Sequence, residues 1–353
     1  MTNPTSVLLV EDSPVALEIL ERLLSSSPDI KVVGKARNGK EALDLIPKLQ
    51  PKVICTDLHM KGMDGLEFTK HVMANDPRPI LVVSTSVQKE DTHTIFELLQ
   101  AGAVDVFPKP STGLASDYEQ VKRDLIGKIK ILSGVTVFTK RQQPSVKAVE
   151  VNPSMSAIAN VTRSLRVITI GASTGGPQAI HKILAQFPAE FPVPIICTQH
   201  ISQGFLQGLV DWLDSECKVK VKVAQVGESP LPGTVYFAPD NSHLELDAQG
   251  KFIYSSALPV DGHCPSVTVT FKSVAKFYGR SAAGILLTGM GRDGAEGMRA
   301  IAQVGGMTFA QDEKTCIVFG MPKEAIALNV VQQVLPIQEI APLLLRKVGI
   351  NRI

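Results

Sequence analysis

Short runs of Val, Ile and Leu recur through the first hundred or so residues, at Val7–Val10, Val32–Val33, Val53–Cys55, Ile80–Val83 and Val104–Phe107. Between them lie longer stretches in which apolar residues return every three or four positions, the period of a helix with one buried face. Uninterrupted apolar runs mark strands covered on both faces, and strands alternating with helices imply right-handed crossovers and a parallel sheet. The pattern predicts a doubly wound α/β domain of five parallel strands, closed by a helix from about Asp117 to Leu132.

From Ser133 to Ser164 the pattern gives way to Ser, Pro, Gln, Lys and Asn. Such a composition buries little apolar surface and reads as a linker. Alternation resumes near Leu165, with strands at Val167–Ile170, Ile195–Cys197 and Gly284–Thr288 and additional ones at Val219–Val223 and Thr234–Phe237. Lys218, Lys220 and Lys222 alternate with valines, which reads as the solvated face of an edge strand rather than a basic binding site. His243–Leu246 and Phe252–Tyr254 flank Asp247-Ala248-Gln249-Gly250 and predict a hairpin. The expected organisation is a first domain over 1–132, a linker over 133–164 and, over 165–353, a second doubly wound α/β domain with a mostly parallel sheet and an added hairpin.

Composition narrows the function. At 353 residues the chain is long enough for two cores. Its 36 Lys+Arg against 34 Asp+Glu leave a net charge of +2, so no overall field draws in nucleic acid or anionic lipid. The five cysteines are scattered without a C-x-x-C pair, against a disulfide framework or structural zinc. With no signal pattern at the N-terminus and no apolar run of membrane-spanning length, the sequence predicts a soluble cytoplasmic protein without membrane insertion.

Two sets of residues carry chemistry. Glu11 and Asp12 follow the first strand, Asp57 ends the third, Ser84 the fourth, and Lys109 follows the fifth. Parallel strand ends share one sheet edge, so the three carboxylates converge there as hard oxygen ligands suited to Mg²⁺, with a cation and a hydroxyl beside them. In the second half, Gly171-Ala172-Ser173-Thr174-Gly175 joins a strand to a helix and fits G-x-S-x-G, a sharp turn that exposes its serine. A serine needs a base and the base an orienting carboxylate. His200 ends the next strand, and Asp293 lies in the glycine-rich loop Thr288–Gly294 after another apolar strand. His181, His243 and His263 read as surface or supporting residues.

The first set, with Asp57-Leu-His-Met-Lys-Gly-Met-Asp-Gly65, resembles the receiver domain of bacterial response regulators. Lys61 stands where that family often has proline. The resemblance implies that Asp57 accepts a phosphoryl group from a histidine kinase, that Glu11, Asp12 and Asp57 hold Mg²⁺, and that Lys109 and Ser84 respond to the phosphoryl group. The second half resembles the catalytic domain of the chemotaxis protein-glutamate methylesterases. The shared motifs are Gly171–Pro177, Gln199-His200, Pro265-Ser266-Val267, Leu287–Gly294, Ala310–Glu313 and Phe319–Pro322. The resemblance implies Ser173 as nucleophile, His200 as general base, Asp293 as its orienting carboxylate, backbone at Met290 as oxyanion support and Thr174 as a supporting residue. It further implies γ-glutamyl methyl esters on chemoreceptor helices as substrate, deamidation of receptor glutamines as a second activity, and no cofactor for the ester reaction. Ile201-Ser202 and Asp240-Asn241-Ser242-His243 depart from the family pattern at what are expected to be cleft-rim positions, bearing on substrate preference.

Two other classes are weighed against this reading. A receiver-driven transcription factor requires a helix-turn-helix and a basic face, which 165–353 does not offer. A nicotinamide enzyme built on Gly171–Gly176 requires an acid at the end of the next strand, where Cys197-Thr198-Gln199-His200 stands.

Overall fold

The computed structural model describes residues 3–84, 89–110, 115–135, 137 and 165–350. The first half runs β1 (Thr5–Val10), α1 (Pro14–Ser25), β2 (Ile30–Ala36), α2 (Gly39–Leu49), β3 (Val53–Thr56) and α3 (Gly65–Asn75). It continues through β4 (Ile80–Ser84), α4 (Lys89–Ala101), β5 (Asp105–Pro108) and α5 (Ala115–Leu132). The five strands pair in parallel in the order β2-β1-β3-β4-β5. Chain order reverses beside β1, and the strand ends on either side of that point form the crevice where such folds bind ligands. Polar caps fix where the helices begin: Ser13, Asn38 and Asp64 each accept a bond from a backbone N–H three residues on, and a cap of this kind stabilises by about 1 kcal/mol.

The second half comprises β6 (Val167–Ala172), α6 (Gly176–Leu184), β7 (Ile195–Gln199), α7 (Leu206–Glu216), β8 (Lys220–Val223) and β9 (Thr234–Phe237). There follow β10 (His243–Leu246), β11 (Phe252–Ser255), α8 (Val267–Tyr278), β12 (Ala282–Leu286) and α9 (Ala295–Gln303). The remaining elements are β13 (Met307–Gln311), α10 (Met321–Ala327), β14 (Gln333–Leu335) and α11 (Ile337–Lys347). Seven strands form one parallel sheet in the order β14-β13-β12-β6-β7-β9-β8. The edge position of β8 agrees with its alternating lysines, and Lys222 is paired with Glu228 at 2.7 Å.

The sheet differs from expectation in two respects, while the expected hairpin is present. It gains β13 and β14, whose short runs carry little periodicity. The strand expected at Gly284–Thr288 is shifted to Ala282–Leu286, because Thr288 turns out of the sheet and bonds the serine turn through its hydroxyl. The β10–β11 hairpin forms a two-stranded sheet of its own, packed on α8. Apart from its first residues, the linker expected over 133–164 lies outside the described residues.

The two halves share apolar contact. Ile95, Phe96 and Leu99 of α4 belong to the same buried cluster as Ile180, Leu209 and Trp212 of α6 and α7. Phe96 stacks on Trp212 with ring centroids 5.2 Å apart and planes at 12°. The Gln178 amide N–H also donates across the boundary, to the Ala103 carbonyl at 2.8 Å.

Candidate functional site

The five-stranded sheet brings the first set together. Oxygens of Glu11, Asp12 and Asp57 lie within 4.8 Å of one another, and the Lys109 ammonium bridges Asp57 at 2.7 Å and Glu11 at 2.8 Å. Burial pushes the Glu11 carboxyl up, and Asp57's charge adds to this against the opposing pull of Lys109. For Lys109, burial favours the neutral amine, but bonds and charges from Asp57 and Glu11 outweigh it and hold the ammonium above its ordinary range. Three clustered carboxylates with one cation form an oxygen-donor set that fits Mg²⁺. Asp57 Oδ1 is fixed by the Leu58 N–H at 2.7 Å, and the buried Ser84 accepts the Lys109 N–H through its carbonyl at 2.7 Å.

In the larger sheet, β6 is flanked by β7 and β12, so all three members of the second set leave neighbouring strand ends. The register Ala172↔Gln199 makes Ser173 and His200 the next residues along paired strands, and the His200 N–H still donates to the Ala172 carbonyl at 2.9 Å. Gln199 ties the two turns together, its amide donating to the Ser173 carbonyl at 2.8 Å and the His200 carbonyl at 2.7 Å. From the other side, the Ser173 N–H donates to the Thr288 carbonyl at 3.0 Å, and the Thr288 hydroxyl to the Thr174 carbonyl at 2.9 Å. Gly289 must lack a side chain here, since a Cβ would stand 2.8 Å from that of Ser173. Gly175 holds φ +77° where the turn enters α6.

His200 Nε2 pairs with Asp293 Oδ2 at 2.9 Å, while its Nδ1 is buried with no partner among the described residues. Asp293 is wholly buried. Its oxygens accept from the Ser266 hydroxyl at 2.8 Å and from the N–H groups of Val267 at 2.8 Å, Thr268 at 2.9 Å and Gly294 at 2.9 Å. Burial alone would raise its pKa, but bonds from His200 and Thr268 and the charge of His200 hold the carboxyl far below the usual range. The result is a fixed carboxylate, an oriented imidazole with one free nitrogen, and a serine on a rigid turn.

The supporting candidates are placed as follows. Met290 is half-exposed on the loop after Gly289, whose carbonyl is pinned by the N–H groups of Gly320 at 3.0 Å and Met321 at 2.9 Å. Thr174 is buried, and its hydroxyl donates at 3.1 Å to Asp105 of β5, in the five-stranded domain. Asp105 is also paired with Lys128 at 2.6 Å. Ser202, expected at the cleft rim, instead faces this domain, its hydroxyl 3.4 Å from the Val106 carbonyl. Asp240 accepts from the Gly204 N–H at 3.3 Å. A cleft of about 460 Å³ runs between Met290 and Arg123, Ile126, Gly127, Lys130 and Ile131 of α5.

In the sequence Gln199 and Ser266 stand out only as motif residues and His263 as a surface or supporting residue, while Thr268 and Asp105 carry no sign of a part in the site. The signal for Ser266 was available: a Pro-Ser pair before a helical period marks an N-cap. The Val267 and Thr268 N–H groups that bind Asp293 are ones such a helix start leaves free.

Both halves of the chain match known proteins. A family model described as CheB methylesterase matches residues 168–344, and one described as response regulator receiver domain matches 7–114. The protein-glutamate methylesterase/protein-glutamine glutaminase 1 of Syntrophus aciditrophicus is 41% identical over 344 residues, covering 97% of this chain and 98% of its own. The corresponding protein of Nitrosospira multiformis is 39% identical, covering 95% of each chain. The crystal structure of the Thermotoga maritima CheB methylesterase catalytic domain, 39% identical, superposes with a TM-score of 0.51 over 52% of this chain and 98% of that one. With both halves matched in order and relatives aligned over nearly its whole length, the chain belongs to the CheB methylesterase family and carries a response regulator receiver domain ahead of the esterase domain.

Proposed function

We propose that the chain is a protein-glutamate methylesterase and protein-glutamine glutaminase acting on chemoreceptor helices in the cytoplasm, switched on by phosphorylation of its receiver. The observation that carries the reading is the His200–Asp293 pair, which leaves His200 Nδ1 unpartnered on a residue whose backbone is paired with the strand that leads into Ser173. Among the described residues no helix is long and apolar enough to cross a membrane. The functional boundaries follow the two sheets, with the receiver over 1–132, the linker over 133–164 and the esterase over 165–353.

Ser173 Oγ attacks the γ-carbonyl of a glutamyl methyl ester as His200 takes its proton, and backbone at Met290, with Thr174 in support, holds the oxyanion. Collapse expels methanol, which takes the proton from His200 and leaves a glutamyl-serine ester. Water, deprotonated by His200, then releases glutamate and restores Ser173. With glutamine the leaving group is ammonia. The chemistry uses no metal or organic cofactor.

Control resides in β5, which carries Asp105 and Val106 against the esterase and leads directly into Lys109 at the acid pocket. The unphosphorylated receiver covers the cleft. A histidine kinase supplies the phosphoryl group to Asp57. Glu11, Asp12 and Asp57 would hold Mg²⁺, which neutralises charge on the incoming phosphoryl oxygens. The added charge and acceptor oxygens draw Lys109 and Ser84 toward the phosphoryl group, and β5 shifts off Thr174 and Ser202.

The direct test is methanol release from membranes bearing radiolabelled methylated chemoreceptors. Full-length protein should gain activity with acetyl phosphate and Mg²⁺, and Asp57→Asn should not respond. No methanol release under any condition would reject the esterase reading, and equal activity with and without phosphodonor would reject the switch.

A further inference from the structure

The imidazole of His263 lies flat on that of His200, with ring centroids 3.8 Å apart and planes at 13°. Its segment is fixed on both sides. Before it, Val260 and His263 exchange two backbone bonds of 3.1 and 3.0 Å around Asp261 and Gly262, whose φ values of +51° and +82° close a tight turn. After it, Ser266 caps α8 and, with Val267 and Thr268, grips Asp293. One stretch of nine residues, 260–268, thus holds the acid of the triad by its oxygens and the base by its ring face.

We propose that His263 is a positioning residue for ester hydrolysis, fixing the plane of the His200 ring and presenting a neutral π face to the imidazolium that forms when His200 takes the serine proton. The inference rests on His200 being the general base. A ring held only at Nε2 by Asp293 can still swing about that bond; a flat neighbour removes the swing. An aromatic face also attracts a cation, and this attraction grows as water is excluded.

The surroundings keep His263 neutral. Burial, and then the facing charge of His200, bring its pKa down to about 4, against the opposite pull of Asp293 and Asp261. Arg292 stands 3.9 Å from Asp261 and offsets part of that acid's influence. From β10, His243 accepts the Ser266 N–H at its Nδ1 and bonds the Leu258 carbonyl through Nε2. At neutral pH the stack therefore holds no second positive charge to oppose the one formed on His200.

The test uses full-length protein charged with acetyl phosphate and Mg²⁺, with methanol release followed from pH 5 to 8.5. His263→Ala should lower kcat about tenfold with KM unchanged and move the acid limb of the profile to lower pH, because the imidazolium loses its aromatic neighbour. His263→Phe keeps a flat apolar ring and should restore kcat to within about threefold, with the acid limb back in place. Wild-type kcat and acid limb in His263→Ala would overturn the proposal, as would a His263→Phe variant as impaired as His263→Ala while its thermal melt matches wild type. His200→Ala measured alongside separates the two readings. Activity retained there overturns the base assignment and this inference with it, whereas an inactive His200→Ala beside an unimpaired His263→Ala overturns the inference alone.

Discussion

Replacing Asp293 by asparagine removes one charge and one acceptor from the most densely bonded carboxylate of the site. Oδ1 takes three donors, from Ser266, Thr268 and Gly294, while Oδ2 takes the Val267 N–H and His200 Nε2. The asparagine oxygen keeps the first three, and its NH₂ then faces the Val267 N–H and the His200 ring. A buried N–H left without its acceptor costs about 1–3 kcal/mol, and the bonds that remain lose their charge assistance, so the variant should be less stable by about 3 kcal/mol. The new NH₂ also requires an acceptor at His200 Nε2, which moves the ring proton to Nδ1. In that tautomer His200 cannot take the serine proton, and kcat should fall about 10⁴-fold, the size of loss seen for this exchange in other triads. The Asp293 carboxyl is held below its ordinary range when folded, so its stabilisation is fully present above the unfolded value near 3.9 and is lost as pH falls below that. The stability gap between wild type and variant should therefore stay level from about pH 5 to 8 and close toward pH 2. Urea unfolding followed by Trp212 fluorescence gives the gap, and methanol release gives kcat. A gap below about 0.5 kcal/mol at pH 7, one that widens on acidification, or a kcat within tenfold of wild type would refute the reasoning.

Three further outcomes are expected. Ser173→Ala should lower methanol release by about 10⁴- to 10⁶-fold while leaving the thermal melt near wild type; substantial turnover in a folded variant would remove the nucleophile assignment. Gly289→Ala places a Cβ 2.8 Å from that of Ser173, so it should displace the nucleophile and cost about 10²-fold in kcat with little change in KM. Phe96→Ala removes the ring stacked on Trp212 and should raise the activity of unphosphorylated full-length protein, as well as shift the emission of Trp212; unchanged basal turnover would show that this stack does not hold the cover in place.

The chemistry was legible in the sequence wherever it sits on strand ends. Glu11, Asp12, Asp57 and Lys109, like Ser173 and His200, follow buried apolar runs, and parallel pairing alone brings such positions to one edge. The sheet was less legible at its far side, where Gln333–Leu335 is three residues long and largely exposed, so that neither length nor alternation sets it apart. The surroundings of Asp293 were hidden for a different reason. Val267 and Thr268 bind it through backbone N–H groups, which every residue carries, so residue identity holds no trace of the contact. Asp105 reads as one polar residue in an apolar strand until Thr174 is placed opposite, and the His263 stack exists only in the folded loop. Ser202 reads as a rim position because it follows His200, and its bond to the Val106 carbonyl of the other domain has no trace in the sequence.

The strand order also sets a schedule. The strand that leads to Ser173 lies beside one leading toward Asp293, with Ala282 opposite Val167, so these two residues are brought to one sheet edge by pairing between distant parts of the chain. Parallel pairings of that reach form slowly, and domains made first during synthesis fold first. The receiver completes its sheet within residues 5–108, long before Asp293 has been made. A nascent chain thus completes the sheet of its receiver before the later strands of its esterase sheet have been made.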